Sequence, residues 1–180
     1  MLISEEEAQR KEGSVMSHFE KVSFERWKAD CGVKGLPDSE LKEWFDAIKP
    51  PHQATAGSAG CDFYMPFNLG FEPGSKMKIA TGYRWVTGPE ERDRVLLIVP
   101  RSSLGFKYGL RLPNTVGVID ADYCEADNEG HILVCFENPS KERVGLKAGT
   151  PFVQGIIVKY EIPEGAGSDD IRTGGFGSTD

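Results

Sequence analysis

No run of apolar residues in this 180-residue chain approaches the ~20 needed to cross a bilayer, which excludes a membrane-spanning helix. The opening stretch MLISEEEAQRKEG is acidic and lacks the apolar core of a signal peptide. The expected location is therefore the cytoplasm, or the host cytoplasm if the source is viral, with no membrane partner. Positive charge is also in deficit. A net charge of −7 argues against a broad phosphate-contacting surface, so no nucleic acid partner is expected. A small anionic substrate stays possible, because a few local cations and backbone N–H groups suffice to hold it. The four cysteines (Cys31, Cys61, Cys124, Cys135) and three histidines (His18, His52, His131) are scattered, with no CxxC pair. That spacing offers no zinc site and reads as reduced thiols.

The remaining composition, 39% hydrophobic and 27% charged, suits one soluble domain with a real core. Residues 1 to about 15 are polar with no apolar stripe. A short strand is expected within HFEKVSFERW. A helix follows at about 38–48, with Asp38 or Ser39 as its cap, and Leu41, Trp44, Phe45 and Ile48 fall on one face. Pro50-Pro51 ends it. Residues 1–50 thus form an N-terminal extension with one amphipathic helix. From Gln53 on, short runs rich in β-branched and aromatic residues (CDFYM, KMKIATGYRWV, RVLLIV, HILVCFEN, PFVQGIIVKYEI) alternate with Gly, Pro, Asn and Asp. Such punctuation predicts an all-β sandwich or barrel over residues 51–162, with TGPEERDR as a solvated loop. Residues 163–180 are so poor in apolar side chains that composition alone predicts a flexible tail.

Five segments carry chemistry. In TAGSAGCDFYMP, glycines allow tight backbone before Asp62 opens a strand. In PRSSLGFKYGL, Pro100 stops an apolar run and leaves Arg101, Ser102 and Ser103 at a strand end, suited to phosphate oxygens. In LPNTVGVIDADY, Asp120 and Asp122 follow an apolar run, and a carboxylate at such an edge can serve as a general base for water. In GTPFVQGIIVKY, Gln154 interrupts an apolar strand and needs hydrogen-bond partners. In RTGGFGSTD, Gly174, Gly175 and Gly177 expose N–H groups beside Arg172, Ser178 and Thr179, although the segment lacks the ending and helix of a Walker A loop. Taken singly, the first, fourth and fifth read more readily as a turn, an edge strand and a loose tail, and the second and third equally well as a solvated strand end and a turn.

Taken together and in order, SAGCDF, PRSSLGFKYG, NTVGVIDADY, GTPFVQ and RTGGFGST resemble the five motifs of the trimeric dUTPases: AGxDL, PRSGL, Gly-Val-Ile-Asp-x-Asp-Tyr, a Gly-rich strand start with Gln, and RGxGGFGST. The resemblance covers residues 53–180. It implies a jelly-roll-like β fold and a homotrimer with active sites shared between subunits, the tail crossing from a neighbour to close over substrate. It implies hydrolysis of dUTP to dUMP and pyrophosphate by water attack on the α-phosphate, supplying dUMP for thymidylate synthesis and keeping uracil out of DNA. By matched position, Asp120 activates the water and Tyr123 packs on the deoxyribose, leaving no room for a 2′-hydroxyl. Asn114 and the backbone at Val118 and Ile119 bind uracil, and Leu133 is a further substrate-binding position. Arg101, Ser102, Ser103 and Gln154 serve the phosphates. Arg172 meets the γ-phosphate, Phe176 stacks on uracil, and Gly177, Ser178 and Thr179 clamp the phosphates. The cofactor implied is Mg²⁺, carried on the triphosphate without a direct protein ligand, and Asp62 reaches it at most through a water.

Three departures from the family pattern stand out. A longer CEADNEG segment replaces the usual Arg-Gly-Glu turn after Tyr123, GTPFVQ lacks the Arg that commonly precedes Ile-Ala-Gln, and the N-terminal extension has no counterpart. Two rival readings remain. A dCTP deaminase of the same fold would need a catalytic Glu in the strand HILVCFEN, where Cys135 occupies the slot and Glu137 follows on the same face. A non-catalytic dUTP-binding regulatory protein would need a defect in motifs that are all present.

Overall fold

The computed structural model describes residues 16–168, 170, 172 and 174. Its centre is a five-stranded antiparallel sheet in the order β2 (His52–Gln53), β3 (Cys61–Tyr64), β11 (Pro151–Lys159), β7 (Arg94–Pro100), β8 (Gly117–Asp120). Three two-stranded ladders complete the β structure. They pair β1 (His18–Lys21) with β6 (Tyr83–Val86), β4 (Leu69–Phe71) with β10 (Val144–Leu146), and β5 (Lys76–Ala80) with β9 (Leu133–Glu137). The predicted all-β, jelly-roll-like class is what forms, and each apolar run named from the sequence supplies a strand.

Alternation along the strands sorts the sheet into two faces. Phe63, Val153, Leu96, Ile98 and Ile119 turn inward and are buried. The opposite layer meets them, with the Phe136 ring of β9 tilted against Phe152 at 6.0 Å between centroids and edge-on to Phe71 at 6.3 Å. On the outer face the register aligns Asp62 with Gln154, Gln154 with Val99, Ile156 with Leu97, Leu97 with Val118, and Val95 with Asp120. That outer face is apolar over much of its width, and Val118 is 59% exposed.

The N-terminal extension holds two helices, α1 (Phe24–Asp30) and α2 (Asp38–Ala47). The strand expected within HFEKVSFERW stops at Lys21. Ser23 then caps α1 by accepting from the Arg26 N–H, with Glu25 in the first turn. Trp27 is fully buried, and its indole N–H donates to the Ala80 carbonyl at 3.1 Å. In α2 the capping position is Pro37, which makes no side-chain cap bond, so Asp38 and Ser39 are the first helical residues rather than the cap. The expected apolar face is in place: Leu41, Phe45 and Ile48 are buried and Trp44 packs beside them. A third helix, α3 (Ser102–Tyr108), stands where the sequence suggested only a strand end. The TGPEERDR loop is less solvated than expected, since its 3₁₀ turn buries Glu91 against Arg94. All four cysteines are free thiols. No helix among the described residues is long and apolar enough to cross a membrane.

Candidate active site

Among the described residues β8 is an edge strand paired with β7 alone, so alternate N–H and C=O groups of Gly117–Asp120 point away from the sheet. Beside it lies a cleft of about 440 Å³ lined by Asn114, Gly117, Ile119 and Leu133, with Ile98, Leu112 and Val134 forming apolar walls. Asn114, Ile119 and Leu133, three of the residues nominated from the sequence, thus line one cleft. Val118 is not part of this wall, because its side chain faces outward, but its backbone belongs to the same open edge. An apolar slot beside unpaired backbone groups can hold a flat heterocycle and read its polar edge.

The next residue on the strand enters a second, polar cleft of about 320 Å³ lined by Arg92, Asp120, Ala121, Asp122, Tyr160 and Arg172. The strand ends at Asp120, and Asp122 begins a 3₁₀ turn that contains Tyr123. The two carboxylates converge because one guanidinium bridges them: Arg172 pairs with Asp120 and donates through Nε to Asp122 at 2.8 Å. The same guanidinium lies 5.9 Å from the Tyr123 ring centroid. Tyr123 is only 4% exposed, and burial pushes its phenol above the ordinary 10.0. A fork that takes carboxylate oxygens takes phosphate oxygens by the same geometry.

A second group of predicted residues sits elsewhere. Arg101 follows β7 directly, its N–H bonded to the Phe152 carbonyl at 3.0 Å and its guanidinium paired with buried Asp62. The carboxylate of Asp62 is therefore committed to orienting Arg101. Gln154, on a central strand rather than an edge, faces outward opposite Asp62. Gly60 explains part of the first motif: a Cβ there would stand 2.9 Å from the Gln154 side-chain oxygen. Ser102 and Ser103 open α3, whose first turn has no side-chain cap, and the Leu104 N–H in that turn donates to the Arg101 carbonyl at 2.9 Å. The sequence signal for α3 was Gly109, which closes the helix at φ 69°.

The two groups do not meet within one chain. Asp120 is opposite Val95, whereas Arg101 lies six residues further along the same strand line. At ~3.3 Å per residue that separation is about 20 Å along the strand. Phe176, Gly177, Ser178 and Thr179 lie outside the described residues.

No carboxylate lines the apolar cleft among the described residues. Cys135 does, and Glu137 turns to Arg111 at 3.2 Å. The acid–base group that deamination requires is missing from that position.

The sequence profile of the family described as dUTPase matches residues 46–180, leaving α1 and most of α2 outside the match. The chain is 38% identical over 135 residues to the deoxyuridine 5′-triphosphate nucleotidohydrolase of Lactococcus lactis subsp. lactis, covering 73% of this chain and 88% of that one. It is 37% identical over 139 residues to the enzyme of the same name from Methylococcus capsulatus, covering 73% and 87%. Among solved structures, the dUTPase of Streptococcus mutans superposes with a TM-score of 0.62 at 29% identity, over 82% of this chain and 99% of that one.

Proposed function

The chain belongs to the dUTPase family, and on that premise we propose that its two clefts form one catalytic site for the hydrolysis of dUTP to dUMP and pyrophosphate, completed by other copies of the chain. The observation that carries the shared site is the gap of about 20 Å between Asp120 and Arg101, counted along β7 at the rise of a strand. Two groups serving one triphosphate from so far apart must come from different subunits. The apolar outer face of the five-stranded sheet supports this, because Leu97, Val118, Ile156 and Val158 form a surface that a second and third copy would bury.

Uracil enters the apolar cleft, where Ile119 and Leu133 flank the ring and the open edge of β8 reads its hydrogen-bond pattern. Cytosine presents the opposite polarity at that edge and is rejected. Tyr123 takes the deoxyribose. Asp120 accepts a proton from the water that attacks the α-phosphorus, a contribution of typically ~10²–10⁴-fold. Arg101, held by Asp62, faces the phosphate oxygens together with Ser102, Ser103 and Gln154 of a neighbouring chain. Arg172 exchanges its carboxylate partners for the γ-phosphate, and Phe176, Gly177, Ser178 and Thr179 follow it over base and phosphates. Mg²⁺, carried on the triphosphate whose hard oxygens suit it, would supply charge neutralisation there. Asp62 acts through Arg101 rather than on the metal.

The test is pyrophosphate release from each deoxynucleoside triphosphate with Mg²⁺, in the wild type and in Asp120→Asn. Release from dUTP alone is expected. Asp120→Asn should retain dUTP affinity and lose more than about a hundredfold in kcat. Comparable release from dCTP or dTTP would reject the uracil site, and retention of more than about a tenth of kcat would remove Asp120 as the base.

A further inference from the structure

The N-terminal extension and the CEADNEG segment are two features that the family pattern does not account for, and the fold joins them. Helix α1 contacts the segment after Tyr123 at both of its ends. At its start, Ser23 donates to Glu129 twice, from its N–H at 2.8 Å and its hydroxyl at 2.6 Å. At its end, Asp30 accepts two hydrogen bonds from Arg26, at 3.0 and 2.9 Å, and its carboxylate faces Nδ1 of His131 at 2.7 Å. His131 is fully buried, and its Nε2 accepts from the Gly82 N–H at 2.9 Å. An acceptor at Nε2 puts the proton on Nδ1, so the ring donates to Asp30 and is locked in one tautomer.

The segment between these anchors closes on Tyr123. Asn128 Nδ2 donates to the Tyr123 hydroxyl at 2.7 Å, and that hydroxyl donates to the His131 carbonyl at 3.2 Å. The backbone of the segment is wound tightly to achieve this. Glu129 and Gly130 are consecutive left-handed residues, at φ 60° and 67°. A Cβ on Gly130 would lie 2.5 Å from Cys124 Cα and 2.7 Å from the Tyr123 carbonyl oxygen. Glu129 has no such freedom of its own, and its carboxylate is the group that Ser23 holds.

We propose that Asp30, His131 and Asn128 are positioning residues through which the N-terminal extension fixes the Tyr123 hydroxyl, and thereby sets discrimination between deoxyribo- and ribonucleotides. This rests on the reading of Tyr123 as the deoxyribose platform. An aromatic ring excludes a 2′-hydroxyl only while it cannot yield. The short turn usual in the family is absent here, and the extension replaces it by clamping the longer segment from outside. Helix α1 is therefore part of the specificity apparatus as well as of the core.

The experiment compares kcat/KM for dUTP and for UTP, with Mg²⁺, alongside urea unfolding of the full chain. Asn128→Ala, Tyr123→Phe and Asp30→Ala are each expected to lower the dUTP-to-UTP ratio about tenfold, the size of one hydrogen bond lost. Asp30→Asn keeps an acceptor for Nδ1 and should retain most of the discrimination. Combining Asn128→Ala with Tyr123→Phe should cost no more than the worse single change, since both act on one hydroxyl. Leu41→Ala, in α2, should lower the unfolding midpoint and leave the ratio unchanged, which separates positioning from plain stability. If Asp30→Ala does not fold, Asn128→Ala, half-buried and outside the core, decides the matter. An unchanged ratio in Asn128→Ala with an active wild type overturns this proposal alone. A wild type that does not turn over dUTP overturns the function assigned above, and this proposal with it.

Discussion

His131 shows at the scale of one residue how a buried polar group is held. Its ring is wholly enclosed, and burial pushes its pKa below the ordinary 6.5 even though the Asp30 carboxylate acts in the opposite direction. Arg26 also lowers it and Glu129 raises it, and these are the charged groups around the ring. In the unfolded chain the imidazole takes up a proton near 6.5, whereas the folded chain resists until a lower pH. Between those values the unfolded state binds more protons, so stability is fully present above 6.5 and is lost as pH falls through the folded value. Protonation also removes the lone pair that Gly82 N–H needs. The free energy of urea unfolding is therefore expected to drop as pH falls below the ordinary 6.5, and to drop less in His131→Gln. Equal pH slopes in the two proteins would show that His131 is not held neutral. Nothing in the sequence pointed to this residue. A lone histidine has no local pattern, and its partner Asp30 lies 101 positions away.

At the scale of elements, the strands were legible because alternation and turn residues act locally. β3, β7, β8, β9 and β11 stand where apolar runs predicted them. KMKIATGYRWV splits into β5 and β6 because Gly82, at φ 80°, breaks the run. Two short helices escaped notice for a common reason. In α1 and α3 seven residues are too few to show periodicity, and only the cap residues Ser23 and Gly109 announce them. The five motifs nominated the candidate site residues, yet they could not say that Asp62 is spent on Arg101, or that Gln154 lies on a central strand. Those facts depend on pairing between distant segments. The tail carries a prediction of its own. Truncation before Arg172 should leave the unfolding midpoint nearly unchanged, because so polar a segment has little apolar area to bury. Turnover of dUTP should fall steeply, because the proposed site uses Arg172, Phe176, Ser178 and Thr179 on bound substrate. Calorimetric unfolding with a parallel pyrophosphate assay checks both, and a truncated chain with wild-type turnover would withdraw these four residues from the site.

For the whole molecule, the proposed site falls into two separate halves on one chain. The base cleft, Asp120 and Tyr123 lie toward one end of β8, and Arg101, Ser102 and Gln154 lie beyond the far end of β7. The apolar outer face of the sheet between them is the surface through which copies would join. Asp120→Asn and Arg101→Ala each disable a different half, so neither protein alone should hydrolyse dUTP at an appreciable rate. Refolded together in equal amounts they assort into hybrids. In a cyclic trimer with each site drawing Asp120 from one chain and Arg101 from the next, about a quarter of all sites then receive both intact residues. The measurement is dUTP turnover of that mixture, with hybrid formation verified by mass spectrometry of differently tagged chains. Recovery to about a quarter of the wild-type rate is the predicted result. Verified hybrids that stay as inactive as the two parents would contradict the shared site.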